Sequence, residues 1–196
     1  MGPKPMSGSS PPQHAPHPLK QTGMVVWLTG LPASGKSTLA SALRRNLADA
    51  SIPACVIDGD ELRAGLCSDL GFSEADRREN VRRAGELARF LAAQGLVAIV
   101  ALVSPYIRDR QSARQRVPLG RFFQVYVDCS VEVCRQRDPK GLYERADRGE
   151  IPQFTGVSDP YEAPIAPELH VQTDVESVEA STKRLVEAVR TALGYR

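Results

Sequence analysis

From Gly23 onward, short uninterrupted apolar runs alternate with longer stretches in which apolar residues recur every three or four positions. The runs Met24–Leu28, Ala54–Ile57, Leu96–Val103 and Phe122–Val127 are continuous, not alternating, which predicts strands buried on both faces. Lys36–Ala50 reads as a helix. A longer helix is expected over Asp76–Gln94, where Val81, Ala84, Leu87, Ala88 and Leu91 share one stripe; Ser73 and Asp76 form a capping box and Gly95 supplies the stop. A short helix follows from about Val131, Leu169–Gln172 gives a fifth strand, and Ser177–Leu193 closes the chain as an amphipathic helix. Such alternation predicts a parallel sheet covered on both faces by helices. Asp138–Pro167 breaks the rhythm. It is rich in Pro, Gly and charge and too long for a plain connection, so a mobile lid is expected there.

Composition narrows the class. The 196 residues are 42% apolar and 24% charged, with 25 Lys plus Arg against 23 Asp plus Glu and a net charge of +2. That mixture is the ordinary one for a globular domain large enough to bury a core without disulfide or metal staples. The near-neutral balance argues against bulk nucleic-acid or membrane binding. The longest apolar run, Leu96–Val103, is 8 residues long, against roughly 20 for a membrane-crossing helix. No signal-peptide core opens the sequence, so a cytoplasmic location is expected. Cys55, Cys67, Cys129 and Cys134 show neither a CxxC pair nor ligand spacing and are expected to be reduced thiols. Met1–Thr22 holds six of the 15 prolines and almost no large apolar residue. It is expected to be a disordered tail, which sets His14 and His17 aside and leaves one domain over 23–196, with its lid at about 138–167.

The strongest chemical signal lies directly after the first strand. Gly30-Leu31-Pro32-Ala33-Ser34-Gly35-Lys36-Ser37 matches G-x-x-x-x-G-K-[ST] and opens a helix. The glycines let the backbone curl so that its N–H groups converge on phosphates, and the helix N-terminus adds positive potential. Lys36 is placed for the terminal phosphates and the Ser37 hydroxyl for Mg²⁺. The expected architecture is therefore α/β: a P-loop NTPase-type three-layer sandwich with a parallel central sheet. A guanine-reading N-K-x-D segment is absent, and the third strand ends in Ser104-Pro105, not in an acid. The acids instead follow the second strand, as Asp58-Gly59-Asp60 with Arg63 beyond. Carboxylates there face the ligand crevice of a parallel sheet and suit a small-molecule kinase, in which they would orient an acceptor hydroxyl and help hold the metal. Alternatively, they are turn residues and a helix N-cap. Arg63, Arg77 and Asn80 would converge on a small anion and Phe72 would stack on a base, whereas Arg78, Arg83 and Arg89 fit a solvated helix face.

Several blocks carry a resemblance beyond these elements: Gly30–Thr38, Asp58-Gly59-Asp60, Asp69-Leu70-Gly71-Phe72-Ser73, Asp76-Arg77 with Glu79-Asn80, and Ser104-Pro105-Tyr106. They continue with Arg137-Asp138-Pro139-Lys140-Gly141-Leu142-Tyr143, Phe154-Thr155-Gly156 and Asp159-Pro160-Tyr161-Glu162. From Val25 to about Thr173 the chain resembles the adenylylsulfate (APS) kinases, which move the γ-phosphate of ATP to the 3′-hydroxyl of APS. The resemblance implies ATP and APS as substrates and Mg²⁺ as cofactor. It assigns the donor to Gly30, Ala33, Ser34, Gly35, Lys36, Ser37, Thr38 and Arg137, the last covering the ATP adenine. It assigns APS to Asp60, Arg63, Phe72, Arg77, Asn80, Val103, Ser104, Lys140, Leu142, Phe154 and Thr155. Asp60 would position the 3′-hydroxyl, Phe72 and Phe154 would sandwich the adenine, and Lys140 would begin the lid. Ser104 matches a serine phosphorylated in bacterial relatives. In-line transfer needs no covalent relay, so a hydrogen bond to the acceptor is the expected role. Relatives carry Arg where Ile107 stands, and Pro32 replaces a small residue in the loop. The resemblance further implies a homodimer and an association with ATP sulfurylase. Its alternative, from another class, is a catalytically inactive nucleotide-binding regulatory domain.

Overall fold

The computed structural model describes residues 23–195; the expected tail, with His14 and His17, lies outside the described residues. Five strands, β1 (Met24–Thr29), β2 (Ala54–Asp58), β3 (Val97–Ala101), β4 (Phe122–Asp128) and β5 (Leu169–Gln172), form one sheet in the order β2-β3-β1-β4-β5. All four pairings are parallel. β1 and β3 are buried along their whole length, as continuous apolar runs require of strands covered on both faces.

Among the described residues seven helices surround the sheet: α1 (Lys36–Asp49), α2 (Gly59–Ala64), α3 (Glu74–Ala93), α4 (Ile107–Gln115), α5 (Val131–Arg137), α6 (Leu142–Asp147) and α7 (Val178–Ala192). Successive side chains of β1 feed two separate cores. Met24, Val26 and Leu28 join Leu39, Leu43 and Leu47 of α1 and Leu185 and Val189 of α7. Val25 and Trp27 join Val81, Ala84 and Ala88 of α3 and Ala113 of α4. The result is the expected three-layer arrangement.

Ser73 caps α3 as predicted, its hydroxyl accepting from the Asp76 N–H at 3.2 Å, but the helix begins directly after it at Glu74, and the Asp76 carboxylate takes the Ser73 hydroxyl at 2.6 Å. At its other end Gly95 takes φ 89°, and the Leu96 N–H reaches back to the Leu91 carbonyl at 3.2 Å, closing the helix through a left-handed residue that suits glycine. Three helices have no counterpart in the apolar pattern. α2 is a single short turn beginning at the Asp58 cap. α4 hides because its inward positions include Asp109 and Arg110, both buried. α6 sits inside the irregular segment 138–167, and the Asp138 carboxylate accepts from the N–H groups of Leu142 at 2.8 Å and Tyr143 at 2.9 Å.

That segment lies on the body of the domain. Tyr143 and Phe154 form a third apolar cluster with Cys129 and Cys134, their rings meeting edge to face. All four cysteines are free thiols. Among the described residues no helix is long and apolar enough to cross a membrane.

Candidate active site

The carboxyl ends of β1, β2 and β3 open into one cleft of about 1110 Å³, where ligands of parallel sheets bind. Of the residues expected in the site, all but Gly30 and Ser34 line it. Those two form the rear of the phosphate loop. A Cβ on Gly30 would stand 2.2 Å from the Val127 carbonyl oxygen, so β4 leaves space there for glycine alone. Ser34 is wholly buried and its carbonyl accepts from the Thr173 hydroxyl at 2.8 Å. Gly35, at φ 97°, turns the chain into α1. The 14-residue helix thus points its amide end at the cleft, a position that favours anions.

Lys36 is buried, and its Nζ donates to the Gly30 carbonyl at 3.0 Å and the Leu31 carbonyl at 2.6 Å. Burial pulls its pKa down to about 8, opposed by the negative groups nearby. The neighbouring Ser37 hydroxyl donates to Asp58 Oδ2 at 2.6 Å, while Asp58 Oδ1 accepts from the Asp60 N–H at 2.9 Å. Asp58 is therefore both the N-cap of α2 and the partner of Ser37. One oxygen of the carboxylate makes the cap and the other takes the Ser37 hydroxyl. Among the described residues no cluster of three or more His, Cys, Asp or Glu side chains is arranged to hold a metal. A magnesium-dependent phosphate site does not require one, because the ion takes one or two protein oxygens and the substrate's phosphates.

Across the loop, α2 and the start of α3 form a basic, aromatic wall. Arg63 donates to the carbonyls of Leu70 at 3.2 Å and Gly71 at 2.9 Å, and its guanidinium lies 4.2 Å from the centre of the Phe72 ring. Arg77 donates to the carbonyls of Phe72 at 2.9 Å and Gln153 at 2.5 Å. Burial holds both arginines below the ordinary guanidinium pKa. Asn80 is buried against the cleft with its Oδ1 unpartnered, and the buried Thr155 Oγ1 is equally unpartnered. Acceptor and hydroxyl groups left so in an interior lack a polar partner. Phe72 is half exposed, whereas Phe154 is buried against Tyr143.

The segment 138–167 supplies much of the lining of this cleft and is tied down beside it. Lys140 forms an ion pair with Asp60. The Tyr143 hydroxyl donates to the Pro32 carbonyl at 3.1 Å, so the loop's proline contributes an acceptor to the covering segment. Leu142, Phe154 and Thr155 are among the further residues of the segment that line the cleft. Arg137 donates to the Thr173 carbonyl at 2.5 Å. Val103 and Ser104 lie in the wall, but the Ser104 hydroxyl turns inward: it accepts from Trp27 Nε1 at 3.0 Å and lies 3.1 Å from the Thr29 hydroxyl. Ile107 opens α4 with its N–H on Glu162 Oε2 at 2.6 Å. Arg108 does not line the cleft; it pairs with Glu74 and covers the Tyr106 ring at 5.3 Å. The charge one position beyond Ile107 thus serves the surface of α3. Sequence reasoning missed Thr29, Arg110 and the Ser37–Asp58 bond, although the carboxylate at the end of β2 signalled the last.

Comparison with known proteins bears on the same residues. Residues 22–172 match a family model described as adenylylsulphate kinase. The adenylyl-sulfate kinase of Bacillus pumilus is 51% identical over 166 residues, spanning 85% of this chain and 84% of its own. That of Vibrio parahaemolyticus is 50% identical over 177 residues, spanning 90% and 84%. Among solved structures, the Mycobacterium tuberculosis APS kinase in complex with AMPPNP and APS aligns with a TM-score of 0.82 at 41% identity, covering 86% of this chain and 98% of that one.

Proposed function

The chain belongs to the adenylylsulfate kinase family, and from that footing we propose how it acts. It is an ATP-dependent kinase that transfers the γ-phosphoryl group of ATP to the 3′-hydroxyl of APS, yielding ADP and 3′-phosphoadenylylsulfate (PAPS). The observation that carries this reading is a single cleft lined both by the phosphate loop and by Asp60, Arg63, Phe72, Arg77 and Asn80.

The loop amides and the amino end of α1 hold the donor's phosphates, and the Lys36 ammonium turns from the Gly30 and Leu31 carbonyls onto them. Ser37 and Asp58 are hard oxygen donors that fit magnesium, which when bound offsets charge on the β- and γ-phosphates. Arg63, Arg77 and Asn80 take the phosphosulfate and sugar of the acceptor, with planar guanidinium forks suited to such oxygens, and Phe72 and Phe154 take its adenine. Arg137 covers the donor base. Asp60 accepts a hydrogen bond from the 3′-hydroxyl and aims its oxygen at the γ-phosphorus. That oxygen forms the new P–O bond as the bond to the ADP oxygen breaks, and the hydroxyl proton passes to the Asp60 carboxylate. For this, Lys140 must leave Asp60, and we assign its ammonium to substrate phosphate once segment 138–167 closes as a lid. Ser104, its hydroxyl engaged by Trp27 and Thr29, shapes the wall. No observation favours the non-catalytic alternative. The homodimer implied by the resemblance and the cytoplasmic location expected from the sequence belong to the same proposal, and sedimentation equilibrium tests the former.

The purified chain, given ATP with APS or with AMP as acceptor, decides the function. PAPS formed from APS, with AMP left unused at the same concentration, supports it. ADP release without PAPS, or equal use of AMP, overturns it.

A further inference from the structure

Arg110 of α4 is 2% exposed, and among the described residues no carboxylate pairs with it. Its guanidinium fork instead spans two backbone carbonyls from distant parts of the chain: Nη1 donates to Ser104 at 2.6 Å and Nη2 to Glu162 at 2.5 Å. A buried cation with no carboxylate in direct contact is costly to keep. A fold that needed only filling there would be served by an apolar side chain. What the fork does hold is specific. Ser104 sits at φ 40°, a left-handed conformation that a non-glycine residue keeps only when its surroundings impose it. Val103, Ser104 and Pro105 line the acceptor side of the cleft, whereas Glu162 lies at the downstream end of the segment that covers it.

Further bonds stitch the same two pieces together. The Glu162 N–H donates to the Pro105 carbonyl at 2.9 Å, and the Glu162 carboxylate accepts from the Ile107 N–H at 2.6 Å. The Tyr161 hydroxyl lies 3.0 Å from that of Thr29, which itself donates to the Val103 carbonyl at 2.7 Å. The Arg110 guanidinium stands 5.7 Å from the centre of the Tyr161 ring.

We propose that Arg110 is a positioning residue for phosphoryl transfer, its fork locking the Ser104 wall of the acceptor site to the downstream root of the covering segment. The root of the cover is then a pivot fixed to the wall, so the cover closes in register with an acceptor seated there, and closure excludes water from the γ-phosphate. The proposal rests on the function assigned above.

Arg110→Lys keeps the charge but replaces the two-pronged fork with a single point donor. The test measures KM for APS, KM for ATP and the ratio of ADP released to PAPS formed, in wild type, Arg110→Lys and Tyr161→Phe, with circular dichroism to report folding. For Arg110→Lys we expect KM for APS to rise about tenfold, KM for ATP to stay within about twofold, and the ADP-to-PAPS ratio to climb above the wild-type value. Tyr161→Phe should shift the same quantities less. A merely structural role would lower both activities with the folded fraction and leave the ratio alone, and that result overturns the proposal, as does a variant indistinguishable from wild type. Should Arg110→Lys fail to fold, the ratio in Tyr161→Phe decides in the same way. A wild-type chain that leaves APS unphosphorylated overturns the assigned function itself, a result separate from any difference between variants.

Discussion

Lys36 carries the sharpest consequence of burial at a single residue. Its folded pKa of about 8 lies below the ordinary 10.5 that it regains on unfolding. Between those values the unfolded chain binds the extra proton, so the cost that this residue imposes on the fold eases as pH rises. Donor binding runs the other way. Phosphates favour the ammonium form, so near and above the lowered pKa Lys36 takes up a proton as ATP binds, and ATP affinity should fall by about tenfold per pH unit above it. Calorimetric titration across that range checks the slope, which should vanish in Lys36→Arg. Lys36→Ala and Asp60→Ala should each lower kcat at least about a hundredfold, the scale of losing one electrostatic contact to the transition state. Asp60→Ala should leave ATP affinity unchanged, and a coupled ADP-release assay beside a binding titration separates the two roles.

Among the elements, those with several apolar residues on the inward face are readable from the pattern, whereas α4, with its polar inward face, and the six-residue α2 and α6, each burying a single side chain, are not. The strands and the long helices α1, α3 and α7 declare themselves because apolar side chains fill their contacts. α4 turns Asp109 and Arg110 inward, so its sequence imitates a surface loop. The phosphate loop was legible because its spacing is dictated by phosphate geometry, whereas the bonds Ser37–Asp58 and Lys140–Asp60 join residues far apart in the chain and leave no local trace. α6 shows a further dependence: its first turn hangs on Asp138, which accepts from the Leu142 and Tyr143 N–H groups. Asp138→Ala should destabilise that turn by about 1 kcal/mol, the usual value of a lost cap. Trypsin cleavage after Arg145 and Arg148 should then speed up while the melting of the whole domain shifts little.

Over the whole molecule, two cores share β1, and the strand delivers its carboxyl end to both sides of the chemistry. Thr29 and the phosphate loop follow directly from it, and Trp27 reaches the Ser104 wall. Phe154 anchors the covering segment beside Tyr143 and Cys134. Phe154→Ala should therefore cost about 3 kcal/mol in chemical denaturation, as large-to-small changes in a packed cluster do, and should weaken APS more than ATP. Trp27 is the chain's one tryptophan, has no exposed surface, and bonds through its indole N–H to the hydroxyl of Ser104 at 3.0 Å. The molecule thus holds its own optical reporter behind the Ser104 wall of the cleft. Its emission should be blue and resistant to acrylamide quenching, and it should change colour or intensity when APS docks against that wall, allowing acceptor arrival to be followed in stopped flow without any label.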